Sequence, residues 1–182
     1  MSTRDIVHIA LFAALTAALG LFPPITLPLT GVPITAQSMG LMLAGSIIGA
    51  RRGALSQVLL LVLVAVGFPL LAGGRGGIGV FAGPTAGFLL AWPVGAFVVG
   101  WLFERYWGRL TIVSALPILA FGGIVVVYAI GVPGISLATG LPLPQALVGS
   151  LPFIPGDLVK VGLTALIALT VRRSYPLIAA RS

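Results

Sequence analysis

Apolar runs fill almost the whole of this 182-residue chain, and charge interrupts them at very few places. Six such runs can be marked, at about 6–22, 35–50, 54–71, 80–103, 110–132 and 151–171. Each approaches the ~20 residues that a helix needs to cross the hydrocarbon layer of a bilayer. No water is available there for backbone N–H and C=O groups, so a spanning segment must satisfy them within its own helix. The expected fold class is therefore an all-α membrane protein, a bundle of six transmembrane helices forming a single integral membrane domain over residues 1–182. A hydrophobic content of 59% with 7% charged residues and a mean hydropathy of +1.19 exclude an ordinary soluble domain. The first run is placed like a secretory signal. Asp5 is foreign to a basic leader, however, and no soluble domain follows, so the run reads as a span.

The bases mark the ends of these runs. With a cytoplasmic N-terminus, Arg4, Arg51, Arg52, Arg105, Arg109, Arg172, Arg173 and Arg181 fall at inside ends, and the outside loops carry only Arg75. That bias predicts both termini in the cytoplasm of a multi-pass protein of the cell (inner) membrane. A net charge of +7 spread in this way forms no patch for nucleic acid. Arg51-Arg52-Gly53 reads as a tight turn that makes the second and third helices antiparallel neighbours. Two outer connections differ from it. Residues 23–33 hold four prolines and no charge, and 133–150 are Pro/Gly-rich and uncharged. Stiff, apolar loops of this kind are expected to fold over the bundle, the first of them as an outer lid after the first helix. A proline-pinned surface turn is the plainer alternative.

Inside the last run stand an acid and a base, Asp157 and Lys160. A charge at the centre of a membrane helix costs roughly 2.5–3.5 kcal/mol on insertion scales, so such residues mark a use. Three positions apart on a helix, they serve the same cavity. Pro155-Gly156 just before them places a helix N-terminus near Asp157. Three readings follow: a simple cap, a neutralising ion pair, or a polar patch for a ligand bearing both an N–H group and a carboxylate. Further polar candidates gather on the same outer side. Gln37, with Thr35 and Ser38, opens the second run, and Thr85 lies in Gly83-Pro-Thr-Ala-Gly-Phe88. Arg75 sits in Gly73-Gly-Arg-Gly-Gly-Ile-Gly79, where Gly76 and Gly77 are further candidates. Those glycines formally satisfy G-x-G-x-x-G, but no βαβ unit surrounds them; they suit positive φ or close backbone approach instead. Arg75 is either an attractor of an anionic solute or a snorkelling interfacial side chain.

Several chemistries are excluded or left without parts. There is no Cys, hence no disulfide or thiolate metal site. No P-loop motif occurs, and three acids with one His leave few acid–base arrangements. Neither catalysis nor a cofactor or metal is expected, and His8 reads as interfacial. On the first helix, Ala10, Ala14 and Ala18 share one face at small-xxx-small spacing. That face either packs inside the bundle or docks a separate membrane subunit.

Gly-Gly-x-Gly-Gly-Ile-Gly, Gly-Pro-Thr-x-Gly-Phe, Phe-Ile-Pro-Gly-Asp-x-x-Lys and Gly31-Val-Pro-Ile-Thr-Ala-Gln37 together resemble the BioY family, the biotin-specific S components of energy-coupling-factor (ECF) transporters. The likeness extends over nearly the whole chain. It implies a six-helix bundle that captures biotin from outside, with Asp157 and Lys160 lining the pocket beneath the loop after the first span. It further implies that the alanine face meets a transmembrane coupling subunit carrying two cytoplasmic ATPases. Ala86 and Phe88 depart from the family's Gly-Pro-Thr-Gly-Gly-Tyr, so no hydroxyl role passes to Phe88. The residues alone leave a second reading open: a proton- or ion-coupled carrier acting by itself, with Asp157 as the titrating group. A scaffold protein using only the alanine face would leave the paired charges unexplained.

Overall fold

The computed structural model describes residues 1–26 and 30–178. Arg181, counted above among the inside bases, lies outside the described residues. Helix α1 (Thr3–Leu19) begins under a reciprocal cap: Ser2 Oγ accepts from the Asp5 backbone N–H, and the Asp5 carboxylate accepts from that of Ser2. This local role explains an acid at the head of an apolar run. After α1 the chain forms a feature that an all-α reading did not contain. Strands β1 (Ile25–Thr26) and β2 (Pro33–Ile34) pair antiparallel, with Ile25 opposite Ile34. Two residues a side carry too little periodicity to be read from sequence.

Helices α2 (Ser38–Ile48) and α3 (Ala50–Val66) follow. They are close neighbours, since a Cβ added at Gly53 would lie 2.9 Å from Gly45 Cα. The turn between them is not Arg51-Arg52-Gly53, which lies within the first turn of α3. The reversal occurs at Gly49, at φ +85°. Glu104 of the next helix accepts from the Ala50 backbone N–H at 2.8 Å, satisfying a donor that the reversal leaves open. A short 3₁₀ turn at Ile78–Ala82 leads into α4 (Ala86–Arg105).

The fifth helical unit is longer than expected. α5 (Ile112–Ala120), a π turn at Phe121–Val125 and α6 (Val126–Thr139) form one rod of 28 residues, Ile112–Thr139. Pro133 therefore stands inside a helix, not in an outer loop. A proline is tolerated in a packed membrane helix, and here Gly134 lies so close to Gly87 of α4 that a Cβ on Gly87 would stand 2.8 Å from it. The connection shrinks to residues 140–142, with Gly140 at φ +74° closing the helix. α7 (Leu143–Ser150), a 3₁₀ turn (Leu151–Phe153) and α8 (Ile154–Ser174) make the sixth helical unit.

Three of these units, Ala86–Arg105, Ile112–Thr139 and Leu143–Ser174, are long and apolar enough to cross a membrane. α1 and α3, at 17 residues each, are slightly shorter. α2 is only 11 residues, about 16 Å at 1.5 Å per residue, and is buried on every side from Gly40 to Ile48. It is the centre of the bundle. The non-helical chain from Thr30 to Gln37 continues it toward one end, a depth at which irregular backbone persists only inside protein or beside a cavity.

The two ends of the bundle differ in chemistry. At one end Asp5 pairs with Arg52 at 3.5 Å, and Arg52 donates to Leu177 O at 2.8 Å. Arg172 donates to Leu110 O and stacks on Trp107. Both described chain ends and these arginines therefore share one face. Arg75, the hairpin and the N-terminus of α8 lie at the other.

Candidate ligand-binding site

α8 starts at Ile154, with Pro155 supplying the fixed φ of a first turn and no N–H to lose. Asp157 thus enters the bundle from the first turn of α8. It does not cap that helix: no side chain bonds at its N-cap. Both carboxylate oxygens turn inward. Oδ1 accepts from Lys160 Nζ at 2.8 Å, and Oδ2 accepts from the Tyr128 hydroxyl at 2.6 Å. Lys160 Nζ also donates to Ser38 Oγ at 2.9 Å, at the start of α2. Asp157 is 6% exposed. The ion pair bridges α8 to α2 and α6, and its net charge is zero.

Tyr128 was not singled out in the sequence. It reaches Asp157 because the π turn precedes it; one extra residue rotates the downstream helix by about 100°. Gly122-Gly123 was the available signal, a pair of small residues in mid-span. The Tyr128 ring stands edge-on to Phe88 with centroids 5.6 Å apart, and Phe88 stands edge-on to Phe153 at 6.3 Å. Trp92 completes this aromatic wall.

Around these groups lie two small, adjoining hollows. The first is lined by Ser38, Tyr128, Phe153, Asp157 and Lys160, the second by Gln37, Arg75, Thr85 and Leu89. Val32, Pro33, Thr35, Phe88 and Trp92 border both. Their cavity volumes are about 60 and 40 Å³, room for a few water molecules. A larger guest requires the dividing rings or the 30–35 segment to move. A wider hollow of about 750 Å³ opens at the arginine-rich end beside Met1, Leu55 and Trp101. Its acids are already engaged, Asp5 with Arg52 and Glu104 with Ala50 N, and Arg51 and Arg52 also line it.

The remaining sequence candidates divide clearly. Thr35 and Thr85 border the second hollow, and neither hydroxyl has a partner among the described residues. Arg75 uses Nε to donate to Ala72 O at 3.2 Å; its two terminal nitrogens have no partner among the described residues. Desolvation lowers its pKa from the ordinary value. Gln37 lines the second hollow, and the backbone takes its amide at both ends. Nε2 donates to Thr16 O at 3.2 Å and Leu70 O at 2.9 Å, while Oε1 accepts from Ala72 N at 2.7 Å. Gly76 and Gly77 border neither hollow. Gly77 takes φ +85°, and Gly76 lies against the Phe68 carbonyl too closely for any Cβ. They shape the turn that carries Arg75. Ala10, Ala14 and Ala18 are all exposed, whereas Ala13 is buried. The internal packing of α1 therefore uses the neighbouring face, with Ile9, Phe12, Ala13 and Thr16.

The model of the BioY family matches residues 1–177. The chain belongs to the BioY family. Among BioY relatives, the biotin transporter of Rhizobium etli is 51% identical over 187 residues, covering all of both chains. That of Rhodobacter capsulatus is 49% identical over 183 residues, covering 95% of each. The fold also superposes on a crystal structure of the S component for biotin from an ECF-type ABC transporter, with a TM-score of 0.90 and 31% identity over 95% of each chain.

Proposed function

We propose that this BioY-family chain is the biotin-capturing S subunit of an ECF transporter in the cell (inner) membrane. One observation carries the reading. A charge-neutral Asp157–Lys160 pair stands at one end of an aromatic-walled site, and an Arg75 guanidinium whose terminal nitrogens have no partner among the described residues stands at the other. Biotin is neutral at its ureido ring, apolar in its thioether ring and anionic at its valerate carboxylate. The ureido group belongs at the neutral pair. Lys160 has a third N–H to give to the ureido oxygen, and the Asp157 carboxylate retains a lone pair for a ureido N–H. The carboxylate belongs at Arg75, whose fork matches it in charge and shape, with Thr35 and Thr85 beside it. Phe88, Trp92, Tyr128 and Phe153 enclose the apolar ring between them.

Residues 30–35 act as the lid, since this segment borders both hollows and must shift to admit a guest. Both termini are cytoplasmic, which places the arginine-rich end inside and the site toward the outer leaflet. The chain has no P-loop, so the energy for release comes from two ATPases on other chains. They act through a transmembrane coupling subunit that packs on the exposed Ala10, Ala14 and Ala18 face; lipid covers the remaining apolar surface. Calorimetry of the purified protein with biotin tests the proposal. Tight binding is expected, and well-folded protein that binds no biotin would overturn it.

A further inference from the structure

Gln37 stands immediately before α2 and is 1% exposed, yet all three hydrogen bonds of its side chain go to backbone atoms outside its own element. Two carbonyls and one N–H surround the amide, so only one orientation of its oxygen and nitrogen satisfies all of them. On one side lies α1, through Thr16 O. Gly20 at the end of α1 leaves the room, since a Cβ there would stand 2.7 Å from Gln37 Nε2. On the other side lies the turn 70–75. Leu71 and Arg75 close that turn by exchanging backbone hydrogen bonds at 3.0 and 3.2 Å. Within it, one residue, Ala72, joins Gln37 to the arginine through the two peptide groups that flank its Cα. The Ala72 N–H donates to Gln37 Oε1, and the Ala72 carbonyl accepts from Arg75 Nε.

We infer that Gln37 is a positioning residue for the Arg75 guanidinium: its amide holds the Ala72 end of the turn, and that turn aims the terminal nitrogens of Arg75 at an anionic ligand group. Gln37 borders the same hollow, but its amide atoms are committed to the backbone. A buried amide that bonds only backbone orders the backbone it bonds, and among the described residues the Arg75 guanidinium bonds only the Ala72 carbonyl of that backbone. The inference rests on the reading that Arg75 receives the biotin carboxylate.

The test compares biotin with biotinamide, which lacks only the carboxylate charge, by calorimetry on the wild type, Gln37→Met, Arg75→Ala and the double variant. Methionine matches glutamine in length and has no amide. Arg75→Ala should erase most of the preference for biotin over biotinamide. Gln37→Met should reduce that preference by at least roughly tenfold, the scale of one charge-assisted hydrogen bond lost, and the double variant should fall no further than Arg75→Ala. If Arg75→Ala alters the preference but Gln37→Met weakens both ligands equally, or neither, the positioning role is wrong and the carboxylate assignment stands. If Arg75→Ala leaves the preference intact, the carboxylate assignment fails and the inference falls with it. Should Gln37→Met not fold, hydrogen exchange on the wild type decides. The Ala72 amide should be better protected with biotin than with biotinamide at saturation, and equal protection would overturn the inference.

Discussion

The Tyr128 hydroxyl donates to Asp157 Oδ2 at 2.6 Å, on the side of the carboxylate away from Lys160. A membrane-embedded acid is thereby held between a cation and a neutral donor, aimed by two different helices. Its geometry is fixed before any ligand arrives, and preorganisation of this kind reduces the cost of binding.

Tyr128→Phe removes that donor and leaves Oδ2 without its partner while preserving the ring contact with Phe88. Biotin affinity should fall by about 1–3 kcal/mol, the cost of an unsatisfied buried group. Calorimetry checks it, and unchanged affinity would show that Oδ2 plays no part in the site.

Asp157→Asn and Lys160→Ala should each weaken biotin binding by ~1–3 kcal/mol. Because each partner left alone in the bundle is a buried, uncompensated group, the double variant should lose less than the sum of the single losses. A double-mutant cycle in which the two losses simply add would argue that the residues act independently.

Ala14→Trp places bulk on the exposed face of α1, at a residue that lines neither of the two small hollows. Biotin binding by the isolated protein should persist, while co-purification with a coupling subunit and uptake in cells should be lost. Retention of a stable complex would remove this face from the docking surface.

Gly49→Ala forces a side chain into φ +85°, ψ 177°, a region essentially reserved for glycine, and against the Glu104 carboxylate. A loss of about 1–3 kcal/mol in stability is expected, read as a lower melting temperature in detergent. An unaltered melting temperature would mean that the reversal between α2 and α3 relaxes without cost.

Much of this architecture was legible in one dimension. Long apolar runs, arginines at their ends and an Asp–Lys pair in the last run are local facts, and the physics of lipid acts on them directly. So too was the start of α8 at Pro155-Gly156, because proline and glycine limit the backbone wherever they stand. The misreadings arose where a neighbour decides the outcome. Pro133 continues a helix because α4 packs tightly against it at Gly87, and the reversal falls at Gly49 because Glu104 takes up the Ala50 N–H. Gln37 borders the second hollow as the sequence suggests, but what its amide bonds to carries no address in one dimension; its carbonyl and amino partners lie 21 to 35 residues away. Sequence by itself determined which side chains must avoid lipid. Only the tertiary structure decided what each of them meets there, since hydrogen bonds depend on distances and angles that distant segments acquire together when they pack.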